Sequence, residues 1–564
     1  MFYRYLFFIV LFSISSFSQR VTNPDYSGLA AKFDNVLSSK VLKNTQFGIS
    51  VYSITNNKSI YQLNSNQILT PASTTKLFTA FAFMQKLGAN FKLKTDIYTD
   101  GTISNGVLNG DLYIRGGGDA LLSINDIEQI ADEIIKYGIK EINGNIYGDG
   151  TLFDKFSERI DYSGDRDLVQ ATPPITALSI NRNIATVLVS SAASKKNRNT
   201  VQVFPQSDTF DVGIDNADTK IQSDKTEPVK VDKSKSVKKN ITSTTKVKQP
   251  VKTVKSKSKA KKQTISKQKV QPKKKSTNKK HTYITPDIYQ KYGEKRKASS
   301  KIQSSKKSNS SGTFVSSSIN PDGSQKFRVK GRVGSRSSAS YSHFIKNPVL
   351  TTAGTLKNRL ISGGVKINGK NGEKSISEAK NPKKIFSFLR NSFEIIEYFM
   401  KHSDNYMSET LFKTLGALTK QTGTDVVSSQ NLILHLIDSL SLNCRDCIVN
   451  DGSGLSRRNK LSAESMTNLF KVAYNQPYFK YLDSSLALAA FDGTIGNRMW
   501  DANTRKNLRA KTGTHGNVSA LTGLVKSLDG ELFTFAFIFN GPNVNAYKKL
   551  ENELGIIMAN YSRK

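Results

Sequence analysis

The sequence predicts mixed α and β structure (α/β, α+β), held in several folded units with one long stretch that cannot pack. Three observations lead there. The chain has 564 residues, room for three to four domains at roughly 150 residues each. Segments with two-residue hydrophobic alternation interchange with segments of helical spacing both before and after its middle. Hydrophobic residues make up only 37%, under the roughly 45–50% of an average globular domain, a reference that also counts Gly. The net charge of +38 is concentrated in one place: residues 221–310 hold 28 basic and 5 acidic side chains, a net of +23.

Residues 1–18 combine Arg4, an apolar run from Leu6 to Phe17 and Ser16-Phe17-Ser18 as small-x-small, the pattern of a cleaved secretory signal. The run is too short for an anchor, which needs roughly 20 apolar residues, so the mature protein is expected on the far side of a membrane. TQFGISVYSITNNKSIYQLN alternates around Asn56-Asn57 as a hairpin. In LTPASTTKLFTAFAFMQKLG, Pro71 precedes a helix with Leu77, Phe78, Phe81 and Leu87 on one side and Gly88 as its stop. Ser73 therefore sits at or near a helix start. From Ala89 to about Val203, strands such as DLYIRGG alternate with the helix INDIEQIADEIIKYG, a separate α+β unit. Residues 206–312, rich in Lys, Ser, Thr and Gln, bury too little surface to offset chain ordering and are expected to be disordered. FRVKGRVG resumes as a strand, and LKNRLISGGVKING as a short helix turning into a strand. KKIFSFLRNSFEIIEYFMKHSDNYMSETLFKTLGAL reads as a long amphipathic helical region. Two late strands, RAKTGTHGNVSALTGLV and ELFTFAFIFN, flank a turn at residues 526–530.

Three short patterns carry chemistry. Ser73 and Lys76 lie one helical turn apart and share a face. An amine accepts a hydroxyl proton only when neutral, and burial beside a second cation lowers a lysine's pKa. The helix start also offers N–H groups to a developing oxyanion. Alone the pattern is weak, since Ser236 and Lys239 repeat it in the basic stretch. Ser403-Asp404-Asn405 falls in the helical region, where Ser403 and Asn405 can face a cleft or merely break the helix with local capping. Lys511-Thr512-Gly513-Thr514 falls on a strand, with Lys511 and Gly513 on one face and Thr512 and Thr514 on the other. Lys511 supplies charge for a carboxylate, and Gly513 permits close approach.

Ser-x-x-Lys, Ser-Asp-Asn and Lys-Thr-Gly, in that order, are the signature of β-lactamases and penicillin-binding proteins. The chain resembles that superfamily and, more narrowly, the penicillin-binding protein 4-type D-alanyl-D-alanine carboxypeptidase/endopeptidase family. The narrower resemblance rests on Arg115-Gly-Gly-Gly-Asp119, NDGSGLSRRNKLS from Asn450, FDGTIGNRM from Phe491, and about 330 residues between the first two motifs, an interval that holds inserted domains in the family. It covers about 430 residues, and the basic segment stands where the family usually has more folded insert.

The resemblance implies a transpeptidase-like core, an antiparallel sheet flanked by helices, from residues 22–90 and 385–564, with an α+β insert from 91–205 and 313–384. It implies a serine-type peptidase acting in the periplasm on peptidoglycan stem peptides that end in, or are cross-linked through, D-Ala. Ser73 would be the nucleophile and Lys76 its base. Ser403 and Lys511 would relay a proton to the leaving amine, and Asn405 would orient Lys76 and the substrate amide. The Ser73 and Thr514 N–H groups would form the oxyanion hole, and the Thr512-Gly513-Thr514 edge with Lys511 would receive the substrate carboxylate. No metal or cofactor is needed, and β-lactams are expected to acylate Ser73.

Other readings are weaker. No Gly-x-Ser-x-Gly elbow exists and histidines number five, against a Ser-His-Asp hydrolase; His515 reads as rim or packing, and Ser453 as part of a turn shaping the cleft. RGGGD lacks phosphate-loop spacing. Cys444 and Cys447 lack further ligands for structural zinc and read as a local disulfide or two idle thiols. A cell-wall or polyanion-binding protein, its hydrolase core catalytically minor, is the alternative the basic segment suggests. Anionic wall polymer or lipid fits that charge. Specific nucleic-acid recognition does not, since only Tyr283, Tyr289 and Tyr292 interleave the charges.

Overall fold

A computed structural model describes residues 20–166, 169–191, 199–214, 221–223, 312–331, 338–419 and 423–563. The signal-like residues 1–18 and nearly all of the basic stretch lie outside these.

The N- and C-terminal parts of the chain share one seven-stranded antiparallel sheet. Its order is Arg20–Thr22, Lys58–Leu63, Gln46–Ser53, Leu532–Asn540, Val518–Lys526, Arg509–His515 and Ala487–Leu488. Leu532–Asn540 is central and buried on both faces, which is why its sequence is a nearly unbroken apolar run. Phe533, Phe535, Phe537 and Phe539 join one core with Leu29, Phe33 and Leu554 of the helices Ser27–Leu37 and Val544–Ala559. Ala536 and Ile538 point the other way, into the core of Lys76–Leu87, Asn405–Thr419 and Ala463–Tyr474.

Among the described residues the insert builds four smaller sheets. In one, Asn371–Glu373, Ile146–Asp149, Leu112–Arg115, Lys92–Thr99 and Lys383–Asn391 lie side by side. The helix Ile124–Lys136, capped by Ser123 with Asp126 reaching back, packs Ile127, Ile130 and Ile134 into the insert core.

Two expectations change. The stretch from Lys383 is not helical at its start: Lys383–Asn391 is a strand paired antiparallel with Lys92–Thr99, with a register shift at Ile385, so the insert's sheet runs past residue 384. Phe210–Ile214 and Ile221–Ser223 are strands as well, inside the stretch read as disordered from 206. Phe210 and Val212 pack against the insert core, a local apolar pair that average composition obscured. Cys444 and Cys447 form a disulfide. Among the described residues no helix is long and apolar enough to cross a membrane.

Candidate active site

Ser73 lies in a single 3-10 turn, Ala72–Thr75, that runs into the helix Lys76–Leu87. Ala72 holds φ +49°, a left-handed conformation that L residues rarely adopt and that functional sites concentrate. Lys76 is completely buried. Its Nζ meets Ser73 Oγ at 3.0 Å, Asn405 Oδ1 at 2.7 Å and the backbone carbonyl of Ser453. Burial lowers the amine to about 8, against the opposing pull of Asp451, Glu409 and Asp404. The contacts also fix its geometry. A neutral amine has two N–H bonds and one lone pair, and both Asn405 Oδ1 and the Ser453 carbonyl only accept. The lone pair is then left for Ser73. Asn405 Nδ2 donates to Gln170 Oε1 at 2.7 Å, which sets the amide with its oxygen toward Lys76.

The Ser-Asp-Asn motif is a break between two helices, Ser392–His402 and Asn405–Thr419, not the interior of one. Ser403 ends the first in the left-handed region at φ +58°, and Asp404 Oδ1 accepts from Met407 N–H at 2.9 Å to start the second. The break turns Ser403 and Asn405 toward different lysines. Lys511, also fully buried, donates to Ser403 Oγ at 2.9 Å and to the Thr512 carbonyl at 2.8 Å. Burial first, and then repulsion by Lys76, hold it well below an ordinary lysine. Thr512 and Thr514 face outward along the strand, and Thr512 Oγ1 donates to Thr494 Oγ1 at 2.8 Å. A Cβ on Gly513 would lie 2.4 Å from the Pro71 carbonyl and 3.2 Å from the Ser73 amide. Only glycine lets this strand reach the turn that carries Ser73. All eight residues singled out in the sequence thus meet at one place.

Sequence reading missed the groups behind them. The Asp451–Gly454 turn, read as a cleft border, threads between Lys76 and the strand: Gly454 has φ +79°, and a Cβ there would stand 2.0 Å from the Ala72 carbonyl. His515 contacts the Gly454 carbonyl at 3.0 Å and is lowered by burial, so it packs. Ser453 contributes its carbonyl to the site, while its hydroxyl accepts from Leu455 N–H at 3.3 Å. Asp451 Oδ1 accepts from Gly454 N–H, and Oδ2 from Ser456 N–H, both at 2.7 Å. Gln170 and Arg182, which pairs with Asp404, come from the insert. The RGGGD glycines are structural, since a Cβ on Gly118 would lie 2.2 Å from Thr414 Oγ1.

A flanked antiparallel sheet with these three motifs at its edge defines the class, the fold of the penicillin-binding proteins. Penicillin binding protein 4 (dacB) from Haemophilus influenzae superposes with a TM-score of 0.62 at 19% identity, covering 95% of this chain and 99% of that one. Residues 29–271 and 257–561 match the D-Ala-D-Ala carboxypeptidase 3 (S13) family, and the chain belongs to it as a peptidase of that class. Relatives include a D-alanyl-D-alanine carboxypeptidase of Actinomadura sp. (strain R39), 23% identical over 95% of this chain and 85% of the relative. Another is the D-alanyl-D-alanine carboxypeptidase DacB of Haemophilus influenzae, 22% identical over 90% and 87%.

Proposed function

We propose that the protein hydrolyses the D-Ala-D-Ala or D-Ala-cross-link bond of peptidoglycan stem peptides through an acyl-enzyme on Ser73. The observation that carries this is the buried Lys76 amine, 3.0 Å from Ser73 Oγ with its remaining directions taken by acceptors. Lys76 takes the Ser73 proton as Oγ attacks the carbonyl carbon, and the backbone N–H groups of Ser73 and Thr514 receive the oxyanion. The C–N bond breaks as Ser403, with Lys511, relays to the leaving amine the proton that Lys76 took from Ser73; water then attacks the acyl carbon, giving one proton to Lys76, which returns it to Ser73 Oγ as the acid leaves. Lys511 with Thr512 and Thr514 holds the terminal carboxylate, beside Gly513, where a side chain would block the approach. A β-lactam enters the same path, and its ring-opened acyl group leaves slowly.

The signal-like residues 1–18 and the substrate support work in the periplasm. The charge of residues 221–310 supports a tether to anionic wall polymer or lipid. Digestion of purified sacculi and of a pentapeptide, with products resolved by mass, tests the activity and sorts carboxypeptidase from endopeptidase cleavage. Ser73→Ala is expected to abolish both; equal product from the variant would remove Ser73 as nucleophile.

A further inference from the structure

Glu409 is fully buried on the helix Asn405–Thr419, one turn beyond Asn405, and faces the Asp451–Gly454 turn. Its Oε1 accepts from the Ser453 N–H at 2.7 Å and its Oε2 from the Gly452 N–H at 3.3 Å. The carbonyl of that same Ser453 is the acceptor on Lys76 Nζ. We infer that Glu409 is a positioning residue: by gripping two successive amides it aims the Ser453 carbonyl at Lys76 and so leaves the amine's lone pair on Ser73.

A carboxylate is an expensive way to anchor a buried turn. Glu409 faces a second buried carboxylate, Asp451, and among the described residues it makes no ion pair. Burial and Asp451 both push its proton affinity up. The Gly452 carbonyl is already tied by Thr79 Oγ1 at 2.8 Å and Ser408 Oγ at 2.7 Å, so the turn has anchors without it. What those hydroxyls do not supply is orientation of the next peptide, or a negative charge behind Lys76. The other ionisable groups gathered here are Asp451 on the turn, Lys76 on the nucleophile helix, Arg159 and Tyr162 on the insert's short helix, His515 on the strand and Asp404 at the helix break. Lys413, one turn along from Glu409, is committed to Asp154 at 2.8 Å. Of the lysines in this set, Lys76 is the one that the Glu409 charge helps keep protonated.

The inference rests on Lys76 as the base, and one experiment separates the two. The second-order rate of acylation by radiolabelled penicillin G is followed from pH 5 to 10 on the full-length protein, with the labelled residue mapped. Wild type is expected to carry label on Ser73, with a rate that climbs along an acid limb to a plateau. Glu409→Gln keeps the shape and loses the charge and one acceptor. Its plateau should fall at least tenfold and its limb should move to lower pH. Glu409→Asp keeps the charge but shortens the reach, so its limb should stay in place while the plateau falls. A merely structural role moves no limb. Wild-type label on Ser73 with a Glu409→Gln plateau within twofold, or an unmoved limb, overturns this inference and leaves Ser73 and Lys76 standing. A limb displaced equally in both variants overturns it as well. Label elsewhere than Ser73 overturns both readings together. If thermal unfolding shows that Glu409→Gln does not fold, Glu409→Asp decides: a plateau equal to wild type is the overturning result.

Discussion

As the proposed base, Lys76 would set the pH dependence of acylation, because an amine accepts a proton only when it has lost its own. Its amine titrates at about 8, so the acid limb of acylation is expected near that pH, with a plateau above it. Pre-steady-state acylation across pH checks this, and a rate already flat from pH 5 would reject a lysine base. The same displacement acts on stability. The folded pKa lies below the ordinary 10.5, so between about 8 and 10.5 the unfolded chain binds more protons, and stability rises with pH across that window. The motif residues were legible because each has a local signature: Ser73 and Lys76 share a helical face, and Gly513 separates two outward threonines on a strand. Glu409 had none. Its role arises from burial of one helix against one turn, and in sequence it is indistinguishable from an ordinary surface acid.

The break at Ser403-Asp404 shows what an element contributes beyond its residues. Helical periodicity runs through it almost unbroken, so the sequence suggested one long region; what ends the first helix is a left-handed serine, which no apolar pattern records. Asp404 then does two jobs, capping Asn405–Thr419 through Met407 and pairing with Arg182 of the insert. Asp404→Ala should lose the cap, about 1 kcal/mol. It should also slow acylation at least tenfold, because Asn405 is the first residue of the helix so released. Asp404→Asn keeps a capping oxygen and should recover most of the stability. Thermal unfolding with penicillin acylation checks both, and full acylation by a destabilised Asp404→Ala would separate the helix start from the site. The strand Lys383–Asn391 was illegible for a related reason. Its partner, Lys92–Thr99, lies almost 300 residues earlier, and pairing at that distance leaves no mark on local spacing.

At the scale of the molecule, the insert is keyed into the catalytic core and not merely appended to it. Lys413 of the core helix Asn405–Thr419 reaches Asp154 of the insert at 2.8 Å. Ser456 beside the catalytic turn donates to Asp165 Oδ2 at 2.7 Å, and Gln170 fixes Asn405. Residues 230–310 carry most of the net charge. If that charge serves as a tether, its effect is electrostatic, long in reach and screened by salt over roughly 10 Å at 0.1 M. Removing residues 230–310 spares the strands Phe210–Ile214 and Ile221–Ser223 and every group in the site. The shortened protein is therefore expected to acylate with penicillin at the wild-type rate and to cleave a soluble pentapeptide normally. On isolated sacculi it should wash off at low salt, where the full chain stays bound until salt is raised. Pelleting the two proteins with sacculi across a salt series reads this directly. Equal retention at every salt concentration would show that the positive charge is not what holds the enzyme to the wall.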